Sequence, residues 1–329
     1  MKKCNICIIG AGSYGTALSH VFSYTGHNVI LYSRDQEQSD MINKFHINPK
    51  RFSKKRLSNN VTSTSNIKNA VKNADLIFHC IPCQYTPIFL EKNAHIFNID
   101  TPFISTSKGL NSETGQLISE IMPLYIKHNN IAYLSGPSFA KEIMEGSPVS
   151  VVLASENLSL CKKIQNLIST DIFRIYPTND VIGVEIGGAL KNPIAIGIGI
   201  AIGLGYGRST TAALITIGCN EMAMVAKKMG GRPETLSGLS GIGDLMLTCY
   251  SPLSRNNRFG LSIGKGNSVE KSIEEIGEVV EGYPSLKHIK SITVKYDLKL
   301  PFLSSIYDIV YANKDPYLTF LEILKPPLE

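Results

Sequence analysis

Apolar runs and helical stripes alternate along the first half of the chain, and the alternation stops near residue 180. Cys4–Ile9 runs without polar alternation into a glycine, as expected of a strand buried on both faces. A helical stripe follows from Tyr14 to about Tyr24; Gly26-His27 breaks it, and Asn28–Ser33 predicts a second strand. Asp75–Ile81, Pro102–Ser107, Ile131–Leu134 and Val149–Ala154 predict further strands, with helical patterns between most of them. This order predicts a mainly parallel sheet covered on both faces.

After about Pro177 the pattern turns helical. Val181–Ile202, Ser209–Met229, Leu236–Cys249, Ser268–Ile276, Tyr283–Tyr296 and Phe302–Ala312 predict helices, with a break at Gly230-Gly231-Arg232-Pro233. The expected class is α/β. A Rossmann-like, doubly wound, dinucleotide-binding domain over 1–180 precedes an all-helical substrate and catalytic domain over 181–329. A length of 329 residues suits two cores rather than one.

Composition narrows the partners. With 43% apolar and 18% charged residues the chain is ordinary globular protein. A net charge of +6 favours small anions such as phosphates, and no recognition motif accompanies it, so nucleic acid is not expected. The one basic cluster, Lys50, Arg51, Lys54, Lys55 and Arg56, reads as a solvated loop. The N-terminal apolar run is too short for a signal-peptide core, and Val181–Leu204 carries Glu185, Lys191 and several glycines. No membrane span and a cytoplasmic location are therefore expected. Seven cysteines include the pairs Cys4/Cys7 and Cys80/Cys83. Residues three apart on a strand face opposite ways, so the first pair cannot share an ion. Pro82 could rescue the second. No metal is expected.

Gly10-Ala-Gly12-Ser-Tyr-Gly15 closes the first strand and opens a helix, the context a dinucleotide loop requires. Gly10 permits the tight turn, Gly12 lets backbone approach a pyrophosphate at the helix N-terminus, and Gly15 lets helix and strand pack closely. At the end of the second strand stand Ser33 and Arg34, with Asp35 one step later. A guanidinium there suits a 2′-phosphate, so NADPH is expected over NADH, unless Arg34 is merely an exposed strand-end charge. Ser107-Lys108-Gly109 and Ser135-Gly136-Pro137-Ser138 follow predicted strands, where ligands of doubly wound sheets bind. Position alone leaves Lys108 open as a loop lysine. Lys191, in an apolar helix, is costly unless paired, used in proton transfer, or snorkelling to water. Asp244 and Thr248 share one helical face, and Ser254-Arg255-Asn256 offers a guanidinium fork with neutral donors at a helix start. Each of these alone is compatible with a capping or salt-bridge role.

Taken in order, these segments resemble the bacterial-type NAD(P)-dependent glycerol-3-phosphate dehydrogenase family. The resemblance rests on Gly10–Ala17, Lys108-Gly-Leu110 with Glu113-Thr-Gly115, Gly136-Pro-Ser-Phe-Ala140-Lys-Glu142, Lys191-Asn-Pro-Ile-Ala195, Gly243-Asp-Leu245, Ser254–Gly260 and Val279-Val-Glu-Gly282. Ser138 stands where many relatives have Thr, and Pro193 where Val is common. The resemblance implies interconversion of sn-glycerol 3-phosphate and dihydroxyacetone phosphate for glycerophospholipid synthesis, by a homodimer. It implies Lys191 as proton donor and acceptor. It puts Lys108, Asp244 and Thr248 around the substrate's polar end, with Gly136, Ser138, Ser254, Arg255 and Asn256 binding substrate. Ser13, Tyr14, Arg34, Val279 and Glu281 would serve the dinucleotide together with the glycines. Lys108, Ala140 and Arg255 would approach it too.

Overall fold

The computed structural model describes residues 3–127 and 129–325. They form two compact units, Met1–Lys108 with Ile118–Val181, and Gly109–Leu117 with Ile182–Glu329. The segment Gly109–Leu117 thus leaves the 1–180 domain read from sequence. Its Leu110 and Leu117 are buried in the apolar core of the second unit, which is what fixes its membership.

The first unit is built on eight strands: β1 (Asn5–Ile9), β2 (Asn28–Tyr32), β3 (Val61–Thr64), β4 (Leu76–His79), β5 (Phe103–Ser105), β6 (Ile131–Ser135), β7 (Val149–Ala154) and β8 (Phe173–Thr178). Their order is β3-β2-β1-β4-β5-β6-β7-β8, parallel throughout except between β6 and β7. The first six follow the dinucleotide-binding order, with its switch point between β1 and β4. Strands β3 and β8, absent from the sequence reading, are the two edges of the sheet. An edge strand is half solvated, so Val-Thr-Ser-Thr and the alternation of Phe173-Arg-Ile-Tyr carry no apolar run to betray them. Two helices matter for the site: α1 (Ser13–Tyr24) after β1 and α2 (Gln36–Phe45) after β2.

The second unit is helical. Its axis is α3 (Val181–Gly203), which runs unbroken across Pro193. Among the described residues α3 alone is long and apolar enough to cross a membrane, and 89% of its most apolar window is buried inside the protein. Around it lie α4 (Arg208–Lys228), α5 (Asp244–Tyr250), α6 (Arg255–Gly264), α7 (Pro301–Ala312) and α8 (Pro316–Ile323). The single helix expected over Leu236–Cys249 is instead a short turn of helix, a wide π-type turn at Leu239–Gly243, and α5. The reason is steric. A Cβ on Gly187 of α3 would strike the Ser240 carbonyl oxygen, so the chain passes α3 backbone against backbone and the regular helix opens there. Tyr283–Tyr296 likewise divides, into Gly282–Leu286 and Ile289–Tyr296.

One buried carboxylate ties two of these helices together. Glu221 of α4 is 2% exposed and accepts the backbone N–H groups of Phe302 (2.7 Å) and Leu303 (2.9 Å), at the start of α7. Burial pushes its pKa up from the usual 4.5 to about 7, against the smaller lowering by those two bonds. A carboxylate raised in the fold favours the fold fully below its unfolded pKa and loses that advantage as pH rises through about 7. Stability to urea should therefore fall between pH 5 and 8, by up to roughly 3 kcal/mol. Glu221→Gln should flatten that slope; an identical slope in the variant would assign it to another group.

Candidate active site

The glycine loop has the geometry of an anion cradle. Gly10 has φ +115°, and a Cβ there would lie 2.8 Å from the Cys80 carbonyl oxygen at the end of β4. A Cβ on Gly15 would collide with the Gly10 carbonyl. Gly12, by contrast, faces open space, with nothing within 4 Å of a Cβ, and no side chain caps the N-terminus of α1, whose first residue is Ser13. A cavity of about 800 Å³ opens there, bordered by Gly10, Gly12, Arg34, Ile81 and Pro82. Its size suits a ligand of dinucleotide class, and a helix N-terminus without a cap favours a pyrophosphate. These residues fit a nicotinamide dinucleotide.

Lys50 and Arg51 also border this cavity. The five basic residues Lys50, Arg51, Lys54, Lys55 and Arg56 are all exposed, as a solvated loop requires, while Leu57 (2% exposed) and Phe52 anchor the loop on the apolar core of this unit. Asp35 is engaged twice. It caps α2 by accepting the Gln38 N–H (3.1 Å) and pairs with the Lys50 ammonium, which holds its carboxyl below the usual carboxylate range.

At the carboxyl ends of β5 and β6 the same unit gathers four of the expected residues. The Lys108 ammonium donates to the Gly136 carbonyl (3.0 Å), the Ser138 hydroxyl donates to that carbonyl (3.1 Å), and the Tyr14 hydroxyl lies 3.1 Å from Ser138 Oγ. Gly136 has φ +123°, a turn that β-branched or bulky residues would strain. Ala140 begins the next helix, Ala140–Glu145, and packs on the core.

In the second unit Lys191 and Asp244 meet. Lys191 Nζ lies 2.6 Å from Asp244 Oδ1, with the residues 7% and 2% exposed. The Thr248 hydroxyl donates to the Asp244 backbone carbonyl (2.6 Å), one turn up α5. Asn192, next to the lysine, accepts from Asn256 (2.9 Å) and donates to Glu281 (3.4 Å), and Asn256 accepts the Gly282 N–H (2.9 Å). Ser254 caps α6 by accepting the Asn257 N–H (3.2 Å). Arg255, half-exposed, faces Glu278 at 3.6 Å. Val279 is exposed beside it.

Glycines bring α6 to this place. A Cβ on Gly260 would strike the Ile196 carbonyl, one on Gly199 the Asn257 carbonyl, and one on Gly264 the Ile200 carbonyl. The two backbones touch along this seam, and that contact sets Asn256 against Asn192. Sequence reasoning found the lysine, the aspartate and the arginine. It missed Glu278, Gln38 and Asn48, whose polarity gave no sign of what they touch.

A glycine-loop dinucleotide domain, joined in one chain to a helical domain with a buried lysine–carboxylate pair, is the equipment of a nicotinamide-dependent dehydrogenase. Residues 5–161 match the family model of the NAD-dependent glycerol-3-phosphate dehydrogenase N-terminus, and residues 180–320 that of its C-terminus. The chain is 39% identical to the NAD(P)+ glycerol-3-phosphate dehydrogenase of Halothermothrix orenii over 313 residues, 94% of this chain and 92% of that one. It is 38% identical to a chloroplastic NAD(+) glycerol-3-phosphate dehydrogenase of Arabidopsis thaliana, over 98% of this chain and 78% of that one. The crystal structure of glycerol-3-phosphate dehydrogenase from Coxiella burnetii superposes with a TM-score of 0.91 at 31% identity, covering 98% of this chain and 99% of that one. The chain belongs to the NAD-dependent glycerol-3-phosphate dehydrogenase family.

The α3–α6 seam is open to test. Gly260→Ala should destabilise the protein by about 1–3 kcal/mol, the cost of overpacking a filled interior. Chemical denaturation measures it; a change below about 0.5 kcal/mol would mean the helices separate freely.

Proposed function

We propose that the chain interconverts sn-glycerol 3-phosphate and dihydroxyacetone phosphate with a nicotinamide cofactor, NADPH in preference to NADH. The product would supply glycerophospholipid synthesis, with the chain acting as a cytoplasmic homodimer. The observation that carries the chemistry is the buried contact of Lys191 with Asp244 at 2.6 Å. In an apolar helix that contact keeps the lysine charged and oriented.

The cofactor, when bound, supplies or accepts the hydride at C2 of the substrate. Gly10, Gly12, Ser13, Tyr14, Gly15 and Arg34 would hold it, with Ala140, Val279 and Glu281 toward its other parts. Lys191, as ammonium, stabilises the negative charge that develops on the C2 oxygen and delivers the proton to it; in the reverse direction it takes that proton back. Asp244 is the acceptor that aims the ammonium. Lys108 adds a second positive field, and Thr248, Gly136 and Ser138 contact the substrate's polar end. Arg255 receives the phosphate through its fork, with Ser254 and Asn256 beside it, so that remote binding energy orients the reacting carbon. The preference for NADPH is supported by Arg34 at the cavity and by Asp35 being committed to Lys50 rather than to a ribose hydroxyl.

Lys191→Ala should lower kcat for dihydroxyacetone phosphate reduction by about 10²–10⁴, the range for a lost acid–base group. A fall of less than about threefold would remove Lys191 from proton transfer. Arg255→Ala should chiefly raise KM for the phosphorylated substrate, and an unaltered KM would place the phosphate elsewhere. Initial rates with NADPH and NADH decide the cofactor.

A further inference from the structure

The loop between α2 and β3 is held by a buried amide that the chemistry above does not use. Asn48 is 1% exposed. Its nitrogen donates to the Ala11 carbonyl of the glycine loop (3.1 Å) and to Thr16 Oγ1 on α1 (2.8 Å). Its oxygen accepts from Gln38 Nε2 (2.7 Å) and from the backbone N–H of Lys50 (3.1 Å). All four hydrogen-bonding positions of one amide are thus occupied. Gln38 extends the network: its nitrogen also donates to the Ala11 carbonyl (3.2 Å), and its oxygen accepts from the Ser33 hydroxyl at the end of β2 (2.7 Å). The Thr16 hydroxyl closes it by donating to the Gly12 carbonyl (2.8 Å).

Four pieces of chain are therefore locked to one another: the glycine loop, the end of β2, the first turn of α2 and the basic loop. The residues that follow Asn48 immediately are Pro49, Lys50 and Arg51. Lys50 and Arg51 border the cavity that Arg34 borders, and Asp35 holds the Lys50 ammonium in place. Three cations thus border one cavity that opens at the end of β2. In a doubly wound nucleotide domain that point faces the adenosine ribose. An exposed lysine and arginine on a free loop would lose their rotamer and backbone entropy on meeting an anion; here the buried amide has already fixed the loop.

We propose that Lys50 and Arg51, presented by the Asn48–Gln38 clamp, complete with Arg34 a three-cation site for a phosphate ester on the adenosine ribose of the cofactor. Asn48 and Gln38 are then positioning residues for cofactor choice. This rests on the reading of the first unit as a domain that prefers NADPH. Arginine forks grip two phosphate oxygens at once, and the lysine adds a point charge. Pairing with Lys50 also offsets the Asp35 carboxylate, which would otherwise repel the same phosphate.

The test separates the adenosine end from the reaction. Calorimetric titration of the full chain with 2′,5′-ADP and with 5′-AMP reads the affinity ratio contributed by the 2′-phosphate. The double variant Lys50→Ala/Arg51→Ala should lower that ratio at least ~10-fold, as expected for lost charge-assisted hydrogen bonds. Its NADPH-to-NADH ratio of kcat/KM should fall in parallel. Asn48→Ala and Gln38→Met, which keep all three cations, should also lower both ratios, raising KM for NADPH more than they lower kcat. If Asn48→Ala does not fold, the exposed double variant still decides. If the wild type favours 2′,5′-ADP and only Arg34→Ala abolishes the preference, the inference fails and the NADPH reading stands. If the wild type binds 5′-AMP as tightly as 2′,5′-ADP, the NADPH reading itself fails and the inference with it.

Discussion

A lysine ammonium inside an apolar helix is tolerable only when a carboxylate meets it, and the second unit is arranged around that requirement. Lys191 lies on α3 among isoleucines and alanines that are fully buried. Its partner comes from 53 positions away, at the first residue of α5. Asp244 reaches it because the chain before α5 runs directly over Gly187, where any side chain would collide with the Ser240 carbonyl. The regular helix gives way to a π-type turn at that crossing, and the turn aims α5 at the lysine. Further along α3, Gly199 and Gly203 admit α6 in the same manner. These glycines of α3 serve close approach rather than flexibility, and the approaches bring Asp244 and Asn256 to the neighbourhood of Lys191.

The first unit is shaped by a different constraint, a helix N-terminus that no side chain caps and that opens onto free space. Gly10 and Gly15 allow β1, α1 and the end of β4 to converge, while Gly12 leaves the space in front of the helix N-terminus clear. A saturated amide network stiffens this arrangement in addition to the apolar contacts of Ala11, Tyr14 and Cys80 with the core. A buried polar group is expensive when partly satisfied and rigidifying when fully satisfied. Asn48 is of the second kind.

The interior of the fold is readable from the sequence because it is built from repeated local choices. Strands β1, β4, β5 and β6 are covered on both faces, so they appear as apolar runs. Strands β3 and β8 have one solvated edge and carry no such run. The glycine loop is legible since its three glycines answer a local steric demand. Lys191 stands out as a charge in an apolar stripe, but its pairing with Asp244 is a tertiary fact, reached only through the family pattern. Asn48 illustrates the limit most plainly: a polar residue in a basic, proline-containing stretch reads as solvated, and nothing in the chain's periodicity says that it lies 1% exposed under the glycine loop. The helix expected over Leu236–Cys249 failed for a related reason. Its apolar spacing is helical, and the interruption is dictated by a glycine on another helix.

Two ion pairs in the second unit show how burial sorts charges by use. Arg255 and Glu278 face each other at 3.6 Å with 37% and 52% of their side chains exposed. Such a pair contributes about 0–1 kcal/mol, so an incoming anion displaces the glutamate at small cost. A phosphate that takes the guanidinium fork gains charge-assisted, bidentate bonds in return. The Lys191–Asp244 pair is nearly dry, and separating it would strand a charge in apolar surroundings, at a cost of about 3–5 kcal/mol. It is therefore not exchanged for a ligand. A proton given up by this lysine would leave while the aspartate stays in contact, and that contact holds the ammonium in one position. An exchangeable ion pair at the surface and a fixed one in the interior follow from the same electrostatics, applied at two depths of burial.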